Sequence, residues 1–561
     1  MLMPPLLRLP PTTSIRWRAL LCAGACAAAV LSQPARGAET GLAIDPKLPP
    51  SESVALGIPK GQLDAAIAKL DDFATALMKR SGIPGMSVVV VHDGKTVYLK
   101  GFGVRKVGAP EAVDADTVFQ LASLSKAVGA SVVAHQVGAG IVTWDTPVKT
   151  LLPWFALKDP WVSAHVTVAD LYTHRSGLPD HGGDELEDMG FDRRQILERL
   201  KLLPLAPFRI TYAYTNFGVT AAAEGVAAAS GKDWATLSDA VLYKPLGMSA
   251  TSSRFADYMA HANRALPHVR ENGAFVAKYQ RQPDAQSPAG GVSSSARDMG
   301  RWLAFVLGNG TFEGKQIVPA SALLPAMTAQ IVSTPSPITA ARPGFYGHGF
   351  GVSIAPSGRV VLSHSGAFIL GAGTTFAMLP SEKLGIAVLT NAQPVGAAEA
   401  LAMQFMDYVE FGTITRDWFD AYSRLMAPLY HPLGTLAGLP VPAQPAPAHP
   451  LDIYAGTYTN AYYGPATVKV EGDHLVFSIG PKPVVASLGH WSGDTFTFAP
   501  AGESAPPGSL SEVTFAITGK TAPTMTAASM TVEFFNENGL GTFTREVPAR
   551  KTKPSKAVRH K

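Results

Sequence analysis

Ser123-Leu124-Ser125-Lys126 carries a nucleophile and a base at a spacing that chemistry can use. A serine hydroxyl attacks a carbonyl poorly until a neighbouring group draws off its proton. If a helix starts at or just before Ser123, residues three apart share one face, with Cβ atoms about 5–6 Å apart, and Lys126 can reach the Ser123 hydroxyl. The start of that helix adds backbone N–H groups and positive potential where an oxyanion would form. An apolar run, 118–121, precedes the motif and a small, helix-friendly stretch, 127–136, follows it. On its own the motif is weak, since a chain of this length holds roughly one Ser-x-x-Lys by chance and an N-cap serine has the same look. Companions must decide.

Tyr214-Thr215-Asn216 sits in a polar and aromatic loop, 211–217. A tyrosine beside a lysine can act as general base if its phenol is partly ionised, and an asparagine amide can hold a substrate carbonyl or the lysine. His364-Ser365-Gly366 follows a strand-like run, 359–363, and precedes Ala367. There Gly366 would let a substrate approach the backbone, and the Ala367 N–H would pair with that of Ser123 as an oxyanion hole. The chain also supplies controls. Tyr458-Thr459-Asn460 and His181-Gly182-Gly183 repeat two of these patterns without catalytic company, and both read as turns. Ser295 and Asp298 read as a helix start. No Gly-x-Ser-x-Gly elbow and no His-Glu-x-x-His helix occurs, which argues against an α/β-hydrolase and against zinc.

Taken in order, Ser123-x-x-Lys126, Tyr214-x-Asn216 and His364-x-Gly366 resemble the motifs of the serine hydrolase family of class C β-lactamases, D-Ala-D-Ala carboxypeptidases, D-aminopeptidases and related esterases. The runs Leu171-Tyr172-Thr173-His174-Arg175-Ser176-Gly177-Leu178-Pro179 and Pro288-Ala289-Gly290-Gly291, with Ser295 through Met299, are similar to it too. The likeness covers about residues 60–411. It implies an acyl-enzyme on Ser123, proton transfer shared by Lys126 and Tyr214, and substrate binding by Asn216, His364, Gly366 and Ala367, with no cofactor or metal. His174 then falls in the family's turn after a helix. Where β-lactamases of this family carry lysine in the third motif, this chain has His364, so recognition of a substrate carboxylate should be weaker or pH-dependent. Such His-x-Gly versions resemble the carboxypeptidase and aminopeptidase branches. The implied substrates are D-amino-acid peptides first, esters next and β-lactams third. The alternatives are a class C-like β-lactamase and a penicillin-binding or sensing protein with negligible turnover.

The fold class expected is α+β, a β-lactamase/transpeptidase-like antiparallel sheet built from both chain ends, flanked by helices, with a mostly helical insertion. Helical spacing covers 61–81, and strand-like runs 86–91 and 96–101 meet through His92-Asp93-Gly94-Lys95, a tight-turn signal. Strand signals return at 350–355, 359–363, 374–378 and 384–389, followed by a helical pattern at 397–411. The Pro-rich stretch 432–450 predicts an extended linker between a hydrolase domain, 39–431, and a small all-β barrel or sandwich, 451–550.

Arg8, Arg16 and Arg18 ahead of an apolar run, 19–31, with small residues around 35–38, have the layout of a signal peptide over 1–38, which predicts a periplasmic or secreted protein with no stable membrane span. Both cysteines, Cys22 and Cys26, lie within it, so thiol chemistry is excluded from the mature chain. Without that segment the chain carries 43 basic and 43 acidic residues, which argues against nucleic acid and leaves a small-molecule or peptide substrate as partner. The basic tail, 551–561, reads as solvated.

Overall fold

A computed structural model of the chain describes residues 42–44, 47, 54–520 and 524–546. The signal-peptide reading with Cys22 and Cys26, and the basic tail, lie outside the described residues.

The central sheet has eight antiparallel strands in the order Ile331–Thr334, Gly344–Tyr346, Gly351–Ile354, Val360–Phe368, Ala372–Leu379, Leu384–Thr390, Gly85–His92 and Lys95–Gly103. It is assembled from both sides of the helical insertion, because Leu384–Thr390 pairs with Gly85–His92. Asp93 and Gly94 both take positive φ, 46° and 73°, as a two-residue hairpin turn requires. The valine run at 88–91 is buried without a break because the sheet is covered on both faces. Val88 and Val90 pack with Leu70–Ser81 and Ala397–Phe411, while Val89 and Val91 face the cluster that holds Leu124–Gly138 and Ala296–Leu307. Each such side chain, fully buried, contributes roughly 1.5–3 kcal/mol.

Two expected elements differ in detail. The helix over 61–81 breaks at Lys69 into Gln62–Ala68 and Leu70–Ser81. The strand expected at 359–363 runs on as Val360–Phe368, so the third motif lies within a strand.

The C-terminal strands, Gly456–Asn460 through Thr542–Arg545, form a closed eight-stranded barrel sealed by Tyr458↔Arg545 and Thr459↔Thr544. Closure leaves no free edge to pair with other chains. Residues 432–450 hold no strand or helix, yet they lie against the barrel: Leu510 N–H donates to the Leu433 carbonyl at 2.9 Å and Gly493 N–H to that of Ala446 at 2.8 Å. Tyr458-Thr459-Asn460 serves the barrel alone. Asn460 Oδ1 accepts from the Tyr462 and Tyr463 amides, both at 2.8 Å, and Tyr458 donates to the Tyr454 carbonyl at 2.6 Å. The barrel and the hydrolase body belong to one compact unit. No helix among the described residues is long and apolar enough to cross a membrane.

Candidate active site

The strand Val118–Gln120 ends in a turn at Ala122, whose φ of 49° is costly for a residue with a Cβ, and the helix Leu124–Gly138 starts at once, with Ser123 as its N-cap. The Ala122 methyl packs with Phe368 and Ala372, which offsets part of that strain. The turn gives the two serines of the motif different fates. Ser125 is buried, donating to the Ala122 carbonyl at 2.6 Å and accepting from Val292 N–H at 3.0 Å. Ser123 is partly exposed and faces a cavity.

One turn further on, Lys126 is fully buried. Its Nζ donates to Ser123 Oγ at 3.1 Å, to Asn216 Oδ1 at 2.7 Å and to the Ala289 carbonyl at 3.0 Å. Burial among neutral acceptors pulls its pKa down to about 7, with the Asp184 carboxylate opposing. A lysine so placed is half neutral near pH 7 and can take the proton of Ser123.

Tyr214 lines the cavity with Ser123, and the Lys126 ammonium lies 4.5 Å from its ring centroid. Burial raises the Tyr214 pKa, against the influence of the nearby Ser123 hydroxyl. Burial thus favours the protonated phenol of Tyr214 over its ionised form, whereas it favours the neutral amine of Lys126. Asn216 opens the helix Asn216–Ser230; its Oδ1 faces Lys126 and its Nδ2 donates to Asp184 Oδ2 at 2.7 Å. His174 supports this loop rather than the reaction. It sits just past the helix Val168–Tyr172 with φ 58°, its Nδ1 accepts from Thr215 N–H at 3.1 Å, and its ring lies 4.5 Å from that of Tyr214.

His181 occupies an exposed turn, as its glycine company suggested, but it also lines the cavity. Its N–H donates to the Tyr214 carbonyl at 2.7 Å and its Nδ1 lies 2.8 Å from Asp184 Oδ2. Partial desolvation beside the cleft opposes its charge, but the Asp184 bond prevails and lifts its pKa to about 9. Asp184 thus joins His181, Asn216 and Lys126 in one chain. Asp184 is a site residue that no motif announced.

In the third motif, His364 Nδ1–H donates to the Ser365 carbonyl at 2.7 Å and Nε2 accepts from the Tyr346 hydroxyl at 2.8 Å. Burial, aided by the Lys126 charge, drives its pKa down to about 3. That shift disfavours the cation expected here for a substrate carboxylate, and the described cavity lining includes Ser365 and Ala367 but not His364. A Cβ at Gly366 would stand 2.2 Å from the Leu121 carbonyl oxygen and 2.4 Å from Thr374 Oγ1, so glycine lets this strand close against the turn before Ser123. Pairing with Gly351–Ile354 stops at Ser363, which leaves residues 364–368 bonded to Ala372–Leu379 alone. Ala367, on that open edge, lines the same cavity as Ser123.

A nucleophile at a helix start, a buried lysine on its hydroxyl, a Tyr-x-Asn loop and an open strand edge are now joined in one cleft. The sequence model of the family described as Beta-lactamase matches residues 70–407. The chain belongs to the Beta-lactamase family. It is a serine hydrolase of that family, with the β-lactamase/transpeptidase-like fold. A second model, a domain of unknown function termed DUF3471, matches 441–541, the barrel region. Among relatives, Unguisins hydrolase ungD' of Aspergillus campestris (strain IBT 28561) is 29% identical over 70% of this chain and 76% of its own. D-alanyl-D-alanine-carboxypeptidase/endopeptidase AmpH of Escherichia coli (strain K12) is 25% identical over 58% of this chain and 84% of its own. The structure of the octameric penicillin-binding protein homologue from Pyrococcus abyssi matches with TM-score 0.55 and 20% identity, over 83% of this chain and 98% of that one, a likeness of fold.

In this member of the Beta-lactamase family the barrel supplies a wall of the cleft. The cavity, about 720 Å³, is lined by Ser123, Tyr214, Asn216 and Ala367 on the hydrolase side and by Glu503, Ser504, Phe534 and Glu537 of the barrel. Asp180, Asp184, Glu185 and Glu533 line it too, against Arg281 and His181 as cations. Arg281 is already engaged, hydrogen-bonded to Glu187 and with its Nε 3.7 Å from Glu503 Oε2. Burial raises the Glu185 carboxyl to about 7, and the nearby Asp184 and Glu537 push the same way. The cavity is acidic, and sequence spacing gave no hint of it because half of its carboxylates arrive from the barrel.

Proposed function

We propose that the protein hydrolyses amide or ester bonds through an acyl-enzyme on Ser123. Neutral Lys126 takes the proton as Ser123 Oγ attacks the carbonyl carbon, and the resulting oxyanion is held by the N–H groups of Ser123 and Ala367. Collapse breaks the carbonyl–leaving-group bond, and the proton passes from Lys126, with Tyr214 adjacent, to the departing amine or alcohol. Water then attacks the acyl-enzyme by the same route in reverse and frees Ser123. The observation that carries this reading is the 3.1 Å contact from Lys126 Nζ to Ser123 Oγ, made by a lysine whose pKa is brought to about 7. A general base so placed contributes roughly 10²–10⁴-fold in rate.

The acidic cavity and the neutral His364 favour acyl substrates that bear no carboxylate next to the scissile bond. Esters and peptides with a free amine or neutral group there rank above D-Ala-D-Ala carboxypeptidase substrates, and β-lactams, with their carboxylate, rank last. The arginine-led apolar start of the chain supports export, and N-terminal sequencing of the mature protein should begin near residue 38; a start at Met1 would contradict it. A panel of nitrophenyl esters, D-amino-acid amides, D-Ala-D-Ala peptides and a chromogenic cephalosporin tests the function. Multiple turnovers on the first two, lost in Ser123→Ala, are expected. A single stoichiometric burst without turnover would point to a penicillin-binding or sensing role, and full activity of Ser123→Ala would end the proposal.

A further inference from the structure

Three consecutive barrel residues, Gly502-Glu503-Ser504, lie in the loop between Thr495–Phe498 and Ser511–Thr518 and touch both walls of the cleft. On one side Glu503 Oε1 accepts from Ile369 N–H at 2.6 Å and Oε2 from Leu370 N–H at 3.3 Å. These two residues begin the turn joining Val360–Phe368 to Ala372–Leu379, where Gly371, at φ 131°, donates to the Phe368 carbonyl at 2.9 Å. Ala367 stands two residues before Ile369, on the open strand edge, and lines the cavity with Ser123. On the other side Ser504 N–H donates to Asp188 Oδ2 at 3.0 Å, and a Cβ on Gly502 would meet that same oxygen at 2.8 Å. Asp188 ends the short helix Asp184–Asp188, whose first residue accepts from Asn216 and so reaches Lys126.

Resting on the acyl-enzyme reading above, we propose that Glu503 is a positioning residue supplied by the barrel, which fixes the Ile369-Leu370 turn and through it the Ala367 N–H that receives the oxyanion. The physical reason is geometric. A carboxylate can accept from both amides at once, whereas a protonated carboxyl turns one oxygen into a donor. The charged and titratable groups facing Glu503 are Arg281, Asp188 and Tyr430. Burial outweighs the pull of Arg281 and holds the carboxyl at about 7, so the two-amide grip is complete above that pH and weakens below it. A donor displaced by a fraction of an ångström from the oxyanion loses much of its worth.

The test compares full-length wild type with Glu503→Gln on a neutral nitrophenyl ester across pH 5–9. The expected result is a kcat lowered roughly tenfold or more with KM nearly unchanged, and an acid limb that falls with two protons in wild type but one in the variant. Fluorophosphonate labelling of Ser123 is followed in parallel. Absent labelling of the wild type would fail the nucleophile assignment, whereas normal labelling with wild-type kcat and acid limb in folded Glu503→Gln would overturn the positioning role alone. If Glu503→Gln has no melting transition, Glu503→Asp takes its place; it should keep the two-proton limb with a reduced kcat, and a wild-type kcat there would overturn the proposal equally.

Discussion

Lys126 Nζ donates to one hydroxyl and two carbonyl oxygens, all neutral, and this choice of partners sets its chemistry. Burial without a bonded carboxylate disfavours the ammonium, so the base form gains as pH rises through about 7. The kcat/KM for a neutral ester should therefore climb through that pH. Lys126→Arg, which stays protonated, should lose roughly 10²–10⁴-fold. Asp184 favours the charged lysine, so Asp184→Asn should move the acid limb to lower pH; a limb that stays put or rises in a pH–rate profile would contradict the coupling. His364, already neutral with a pKa pulled down to about 3, should add no inflection between pH 5 and 8. The residue types and order of Ser123, Lys126, Tyr214 and Asn216 were legible because each motif is local. The state of His364 was not, since it follows from burial and from Tyr346, eighteen positions away, which no spacing rule connects.

The elements fix how closely these side chains meet. Gly366 brings the strand Val360–Phe368 onto the Leu121 carbonyl, and a methyl group there has no room. Gly366→Ala should cost about 1–3 kcal/mol in stability by overpacking and lower kcat on the order of a hundredfold by shifting Ala367; a thermal melt and ester kinetics measure both, and wild-type values in each would contradict this placement. The hairpin at 92–95 and the helix Ala397–Phe411 could be read from turn chemistry and period alone. The strand that carries the third motif was read too short because Ser365-Gly366-Ala367 are small or polar and show no hydropathy alternation, although their burial alternates in the fold. The helix break at Lys69 had no Gly or Pro to announce it.

At the scale of the whole molecule, barrel and hydrolase body share one cleft: Arg199 Nε donates to the Tyr462 carbonyl at 3.0 Å, Lys482 N–H to that of Met189 at 3.1 Å, and Glu503, Glu533 and Glu537 line the same cavity as Ser123. Sequence showed a second, all-β region but not where it docks, because docking joins residues hundreds of positions apart. Calorimetry of the full chain should give one transition, and a chain ending at residue 431 should keep Ser123 labelling while losing the acidic wall, with KM raised for amine-bearing substrates; two separate transitions with unchanged KM would refute a shared cleft. The most direct measurement is peptide mapping by mass after reaction with a fluorophosphonate at pH 6, 7 and 8. A single adduct on Ser123, forming faster as pH rises through about 7 and absent from Ser123→Ala, is the predicted result; an adduct on another residue, or equal labelling of Ser123→Ala, would contradict the assignment of Ser123 and Lys126.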